Sequence, residues 1–350
     1  MTLIDIMENR NTYLTIDQTT FIDNNIYHYE PSPNVGLINA AKMGAFVTVT
    51  NSKFENNDVG KKGFDGYSWL IYLGGLPFPV LDSGLQISNT IFLNNTGMYN
   101  AIAAGGFLYD GDFSAKGNTA LSNTFKSDEL KCQGILRIRK NGGNEENDFY
   151  WECADQFDKI ESTVAPTLSP TSFEPPQSEC LGSDFPKKIM QAEKKLNVTN
   201  LSRKRTYTVC KDTVTNVMDW DYDKEEFNKD TGDEKALSIF YSNIAIRCEK
   251  KNTCSMIGGI YQIEILSATV FDEDFEYLPV TNVEIIGFNF GTGSSQMEAN
   301  ILINGVDIQQ TFENLPDYGA SLTLRNCVFE VSFYNLWFLF IAFQFVTNYI

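Results

Sequence analysis

Six segments of the chain follow one template: apolar, any, apolar, any, small polar, any, any, Phe. They are Leu14-x-Ile16-x-Gln18-x-x-Phe21, Val47-x-Val49-x-Asn51-x-x-Phe54, Leu85-x-Ile87-x-Asn89-x-x-Phe92, Phe113-x-Ala115-x-Gly117-x-x-Ala120, Val283-x-Ile285-x-Gly287-x-x-Phe290 and Leu322-x-Leu324-x-Asn326-x-x-Phe329. Self-similarity at a period of tens of residues implies a repeat architecture. Apolar residues two apart predict a short strand with one face inward, the small polar residue a bend, and the Phe a second strand turned to the same interior. One such unit cannot bury its inner face alone, whereas a stack of them can. Consecutive copies start 33, 38, 28 and 39 residues apart, so each must also carry a surface loop of changing length.

A second column reinforces the first. Three residues after the Phe, or after the equivalent Ala120, stand Asn24, Asn57, Asn95 and Asn123. Asn tolerates left-handed backbone, and its amide both donates and accepts. Stacked at equivalent corners, these side chains are expected to form a structural ladder from unit to unit. A leucine-rich repeat fits less well. Its Asn lies three residues after the last strand Leu, whereas Asn51, Asn89 and Asn326 lie two after, and its period is shorter and steadier.

With these units, the linker Ala165-Pro-Thr-Leu-Ser-Pro-Thr171, and the segments Arg205-Thr-Tyr-Thr-Val-Cys210, Asn243-Ile-Ala-Ile-Arg-Cys248 and Cys254-Ser-Met-Ile-Gly-Gly259, the chain resembles the pectin-lyase-like extracellular proteins. It looks most like the large β-helix proteins of diatoms and similar algae. The resemblance implies an all-β fold, a right-handed parallel β-helix. Activity does not transfer with it, because members of that superfamily do many things.

Composition divides the 350 residues. Residues 161–179 hold Pro166, Pro170, Pro175 and Pro176 among Ser and Thr, a semi-rigid spacer. Four template copies precede it and two follow. The expected organisation is the C-terminal part of a first β-helix over 1–160, a linker over 161–179, and the N-terminal part of a second over 180–330. A hydrophobic tail, 331–350, completes the chain. The formal charge of −18 is spread over both halves, which argues against nucleic acid or anionic lipid as partner.

There are 7 cysteines and no Cys-x-x-Cys, and His28 is the only histidine, so disulfides are expected rather than a metal site. Candidate pairs are Cys248 with Cys254, Cys132 with Cys153, and Cys180 with Cys210, which leaves Cys327 over. Sequons at Asn94, Asn197 and Asn200 point the same way, to an oxidising extracellular or cell-surface setting. Asn94 adjoins the ladder column, where a glycan would conflict with a packed corner. No signal peptide opens at Met1, and no capping element precedes Leu14. The expectation is therefore a piece of a longer secreted protein.

Candidate chemistry is sparse. Glycoside hydrolysis needs two carboxylates at a set separation. Asp17 is placed to face outward, but Thr50, Ser88 and Lys116 at the matching positions add no second carboxylate. Arg137 and Arg139, in Gly134-Ile-Leu-Arg-Ile-Arg-Lys140, lack the His-Gly and paired-Asp motifs that accompany a similar element in the hydrolases. Asp219, Asp221, Asp223 and Asp230 have the spacing of hard-cation ligands, which makes calcium the one conceivable cofactor. Lys224 stands where the tight loop needs Gly, so a solvated acidic insertion is the plainer reading. The same applies to Asp272-Glu-Asp-Phe-Glu276. The uncharged run from Val331 to Ile350 is just long enough to span a bilayer; it reads as a membrane anchor or as read-through past an exon boundary. The expected function is a non-enzymatic scaffold binding carbohydrate or wall components through its loop-decorated faces. The alternative is a polysaccharide lyase or hydrolase.

Overall fold

A computed structural model of the chain describes residues 2–7, 12–25, 34–40, 45–59, 67–73, 84–97, 103–107, 113–125, 136–141, 149–153, 180–196, 203–221, 226–229, 232–266, 268–271, 274–277, 280–292, 299–304 and 320–330. They form three long sheets and one helix. In space, sheet I runs Arg205–Val209, Ile244–Cys248, Val280–Ile286, Ala320–Arg325, Thr12–Asp17, Ala45–Thr50, Gly84–Ser88, Phe113–Lys116. Sheet II runs Val214–Val217, Cys254–Gly258, Phe288–Phe290, Val328–Phe329, Thr20–Ile22, Lys53–Glu55, Ile91–Leu93, Thr119–Leu121. Sheet III runs Leu237–Ile239, Ile263–Leu266, Ile301–Asn304, Ile4–Met7, Asn34–Ala40, Tyr67–Leu73, Ala103–Phe107, Leu136–Asn141, Phe149–Cys153. Every pairing within these sheets is parallel except the last, between Leu136–Asn141 and Phe149–Cys153.

Each template copy is one passage through sheets I and II, and after the copies that start at 14, 47, 85, 113 and 283 the chain crosses to sheet III. The alternating apolar residues of sheet I point inward in register, Leu322 with Leu14 with Val47 and Leu324 with Ile16 with Val49. The template's Phe side chains stack along sheet II. Ring centroids are 4.7 Å apart for Phe290–Phe329, 4.9 Å for Phe329–Phe21, 4.5 Å for Phe21–Phe54 and 5.0 Å for Phe54–Phe92. All five rings are fully buried. Each such pair adds about 1 kcal/mol beyond the burial of its area.

The small polar residue of the template is explained by its backbone. Gln18, Asn51, Asn89, Gly117, Gly287 and Asn326 all have φ between 48° and 77°. Only Gly enters this region freely, with Asn next best. A second left-handed corner follows five residues later, at Asp23, Asn56, Asn94 and Ser122. The ladder asparagines come immediately after these. Asn is thus at the corner for its amide, and the neighbour before it supplies the left-handed turn.

Described strands of 1–160 and of 180–330, expected as parts of separate β-helices, lie in the same three sheets, those of 180–330 on one side and those of 1–160 on the other. Thr12–Asp17 lies between Ala320–Arg325 and Ala45–Thr50. The edge before Leu14 is therefore covered, because the last unit of one segment and the first of the other carry the same template. A helix missing from the sequence reading, Phe185–Glu193, packs on Leu237–Ile239 at the opposite end of the C-terminal segment. Asp184 precedes it and Pro186 opens it, both ordinary helix-start signals. It buries Phe185, Pro186, Ile189 and Glu193 over the first circuit.

Candidate functional site

The outer face of sheet I is built from the residues that alternate with the core positions. One outward row, read across neighbouring strands, is Glu284, Thr323, Thr15, Thr48, Gln86. A parallel row is Ser321, Tyr13, Phe46, Gly84. In that row Tyr13 and Phe46 stack, with centroids 5.0 Å apart and planes 12° from parallel. Tyr13 is 49% exposed, one of few large apolar side chains so open among the described residues. The pair is bounded by Ser321 on one side and Gly84 on the other, so small residues flank both outer ring faces. The hydroxyls of Thr15 and Thr48 and the amide of Gln86 stand two residues further along the same strands. An aromatic ridge edged with neutral donors and acceptors suits a ligand with an apolar face and many hydroxyls.

The third outward row contains Arg325, Asp17, Thr50 and Ser88. Asp17 Oδ1 accepts from Thr50 Oγ1 at 3.0 Å and from Asn51 Nδ2 at 2.9 Å, and Arg325 Nε lies 3.4 Å from Oδ2. This carboxylate is committed to its neighbours. Glu284 is likewise paired with Lys204 Nζ at 3.0 Å. Arg137 and Arg139 lie on the strand Leu136–Asn141; their side chains fall outside what is described.

Asn24, Asn57, Asn95 and Asn123 form a hydrogen-bonded column. Nδ2 donates to the next residue's Oδ1 at 2.7 Å from Asn24, 2.8 Å from Asn57 and 2.8 Å from Asn95. The backbone N–H of each donates to the same oxygen, at 3.1, 3.0 and 2.9 Å. The other Nδ2 hydrogen of each goes back to the preceding unit's carbonyl, at Phe329, Phe21, Phe54 and Phe92 respectively. Outside this column runs a second, exposed one: Asn94 Nδ2 donates to Asn56 Oδ1 and Asn56 Nδ2 to Asp23 Oδ1. Asn94 therefore points to solvent and leaves the packed corner to Asn95. Asn197 and Asn200 lie outside the described residues.

Among the described residues two disulfides are present, Cys180–Cys210 and Cys248–Cys254. Cys132 lies outside the described residues, so its pairing with Cys153 is not described. Cys327 is a buried free thiol. It occupies the position after the bend that Thr19, Ser52, Thr90 and Asn118 fill in the following units. Burial pushes its thiol up to about 11. Asp219 and Asp221 lie on one strand of an antiparallel hairpin, Asp219–Asp221 with Glu226–Asn228, while Asp223 and Asp230 lie outside the described residues. Asp274 and Glu276 lie on one strand of a second antiparallel pair, Ala268–Phe271 with Asp274–Tyr277, while Asp272 and Glu273 lie outside the described residues. Among the described residues no group of three or more His, Cys, Asp or Glu is placed to hold a metal. No described helix is long and apolar enough to cross a membrane, and 331–350 lies outside the described residues.

The helix end carries a different polar cluster. Glu193, 3% exposed, accepts from Arg205 Nε at 2.8 Å, from Arg205 Nη2 at 2.8 Å, and from the Tyr207 hydroxyl. Burial, and then the bond to Glu193, hold the Tyr207 hydroxyl well above its usual range. Beside it a cleft of about 370 Å³ opens between the helix and residues 233–235, lined by Lys187, Met190, Lys194, Met218, Glu234 and Lys235 among others. Burial and the nearby Asp184 raise the Glu234 carboxyl. Glu193 is wholly used in fixing the helix, and nothing else in the cleft converges on one point.

The sequence reading missed the Tyr13–Phe46 pair, although both residues stand one place before the first apolar residue of their template copies. Extending the alignment by that single column would have found it. Compared with known proteins, the chain matches no family model, no curated protein and no solved structure.

Proposed function

We propose that this chain is a non-enzymatic scaffold, a right-handed parallel β-helix of the pectin-lyase-like kind that binds neutral carbohydrate on the outer face of sheet I. The observation that carries this reading is the stacked pair of exposed Tyr13 and half-buried Phe46 between Ser321 and Gly84, with Thr15, Thr48 and Gln86 alongside. A sugar ring laid against an aromatic face buries its C–H side there and keeps its hydroxyls within reach of those neutral groups. The commitment of Asp17 and Glu284 to Arg325 and Lys204 favours binding over acid–base chemistry on this face. The two disulfides support an oxidising, extracellular location.

The test is affinity electrophoresis in gels containing neutral polysaccharides such as xyloglucan, mannan and β-glucan. Retardation is expected with at least one. Tyr13→Ala and Phe46→Ala should each weaken it about tenfold, a loss of roughly 1.4 kcal/mol. Equal retardation of wild type and both variants overturns the site. Turnover of pectate or alginate above background, with or without calcium, overturns the scaffold reading in favour of a lyase or hydrolase.

A further inference from the structure

Tyr13 and Phe46 are register partners on neighbouring strands of sheet I, so the line joining their rings runs across the strands. Their planes lie 12° from parallel, with centroids 5.0 Å apart. Rings lying side by side in one plane cannot come so close without their edges overlapping, so these two stand upright, face to face. Phe46 thus covers one face of Tyr13. A tyrosine with one face covered is 49% exposed only if its other face is open. That open face looks toward the strand Ala320–Arg325, where the register partner of Tyr13 is Ser321. A serine is too short to reach the height of the ring.

The far side of this gap is also built. Opposite Ser321 the strand Val280–Ile286 carries a bulge: Val280 pairs with Ala320 and Val283 with Leu322, so Thr281 and Asn282 together face one residue. Asn282 is exposed, with φ 57°. Its backbone N–H donates to Ser321 Oγ at 2.7 Å, and its Nδ2 donates to Asn243 Oδ1 at 2.9 Å. The side-chain amide is therefore held in place, while its Oδ1 has no partner among the described residues. The strands that carry Tyr13 and Asn282 are two spacings apart, about 10 Å. A third ring, set at the spacing of Phe46 and Tyr13, would be centred over Ser321 between them.

We infer, resting on the carbohydrate binding proposed above, that this gap seats one sugar ring on the outer face of Tyr13, and that the saccharide chain runs along the strand Ala320–Arg325. Asn282 Oδ1 accepts from a hydroxyl of the seated ring, and Phe46 keeps Tyr13 upright. In an equatorially linked pyranose both glycosidic bonds lie near the plane of the ring. A ring upright beside Tyr13 therefore sends its chain along the strand, over Thr323 and toward Arg325, rather than from strand to strand. Ser321 to Arg325 spans about 13 Å, the length of two or three sugars. The carboxylates beside this path, Glu284 and Asp17, are already paired with Lys204 and Arg325. The ligand class is accordingly a neutral, linear chain of equatorially linked pyranoses.

The probes are β-1,4-linked gluco- and manno-oligosaccharides of two to six residues, titrated calorimetrically into the full-length protein. Affinity is expected to rise from the disaccharide to the trisaccharide and then to level off. Ser321→Phe fills the gap with a ring and should weaken binding at least about tenfold. Asn282→Gly keeps the left-handed backbone, removes the acceptor and should weaken binding about fivefold. Denaturation midpoints of both variants show whether they are folded; if Ser321→Phe is not, the length series and Asn282→Gly decide. Affinity that keeps climbing to the hexasaccharide means a chain running from strand to strand, which overturns the seat and leaves the carbohydrate site standing. Tyr13→Ala weakening binding while Ser321→Phe and Asn282→Gly leave it unchanged has the same meaning. Wild type that binds none of the oligosaccharides and is not retarded by any neutral polysaccharide overturns both.

Discussion

The N-terminal and C-terminal segments build the same circuit but hold its corners by different means. From Asn24 to Asn123 the corner is a run of side-chain amides, in which Asn57, Asn95 and Asn123 each accept two N–H bonds from the unit before and donate to its carbonyl. Among the described residues from Cys180 to Asn304 the buried amide run shrinks to one rung, Asn300 Nδ2 to Gln262 Oε1 at 3.0 Å, with an exposed rung from Asn282 Nδ2 to Asn243 Oδ1 at 2.9 Å. In its place come two disulfides, a helix tied down through Glu193, and glycine corners. At Gly258 and Gly259 φ is 77° and 72°, and an added Cβ would come within 2.6 Å of Val217. A repeat of identical units can satisfy its buried polar groups by stacking like on like. The circuits nearest an end have fewer neighbours to stack on, and covalent links and a cap take over.

Breaking the amide column should have the largest effect. Asn57→Ala deprives the Asn24 N–H and Nδ2 of their acceptor and the Phe21 carbonyl of its donor in a dry corner. At about 1–3 kcal/mol per orphaned group, the loss is about 4 kcal/mol. Chemical denaturation of wild type and variant checks it. A loss below about 1 kcal/mol would mean that the column decorates the corner without holding it.

Reducing the disulfides tests the other half of the contrast. Cys180–Cys210 closes a separation of 30 residues, worth about 3.6 kcal/mol through the unfolded chain. In a stacked repeat the loss should be local to the first circuits. Hydrogen exchange after reduction is expected to quicken in Arg205–Val209 and Val214–Val217 and to leave Thr12–Asp17 and Ala45–Thr50 protected. Uniform loss across all circuits would show that the two segments melt as one.

Much of this contrast was legible in the sequence, because periodicity in the N-terminal segment is carried by side-chain type. Leu14, Ile16, Phe21 and Asn24 recur at fixed offsets in residues that report their own environment. The circuits at 205–217 and 244–258 were harder to see. There Tyr207, Val209 and Met256 replace the template's residues, and the cystine Cys248–Cys254 replaces the small polar bend, so the shape persists while the pattern does not. The helix Phe185–Glu193 was missed despite Asp184 and Pro186, since nine residues make too short a window for a helical period to stand out. The aromatic ridge was missed for another reason: Tyr13 and Phe46 fill the column just before the template's first apolar residue, and their stacking depends on a register between strands 33 residues apart. The joint between 320–329 and 2–25 was equally hidden, because it depends on a register between strands about 300 residues apart.

The smallest expected effect lies at that joint. Cys327 fills the column that Thr19 and Ser52 continue, and its Sγ lies 3.5 Å from the carbonyls of Ile285 and Arg325. A serine hydroxyl can use the same acceptors, so Cys327→Ser should cost less than about 1 kcal/mol at neutral pH. The two proteins should part at alkaline pH. The folded thiol is pushed up to about 11 from an ordinary value near 9, so the unfolded chain releases its proton first. The stability that the neutral thiol contributes is whole below about pH 9 and is lost as pH rises toward 11. For a shift of this size the loss is on the order of 2 kcal/mol, and it is absent in the serine variant. Tyr207, also raised, titrates in both proteins and cancels in the difference. Denaturation midpoints of wild type and Cys327→Ser measured from pH 8 to pH 11 should therefore diverge as pH climbs. Parallel curves would mean that the thiol meets solvent, and hence that the joint between the two segments stands open.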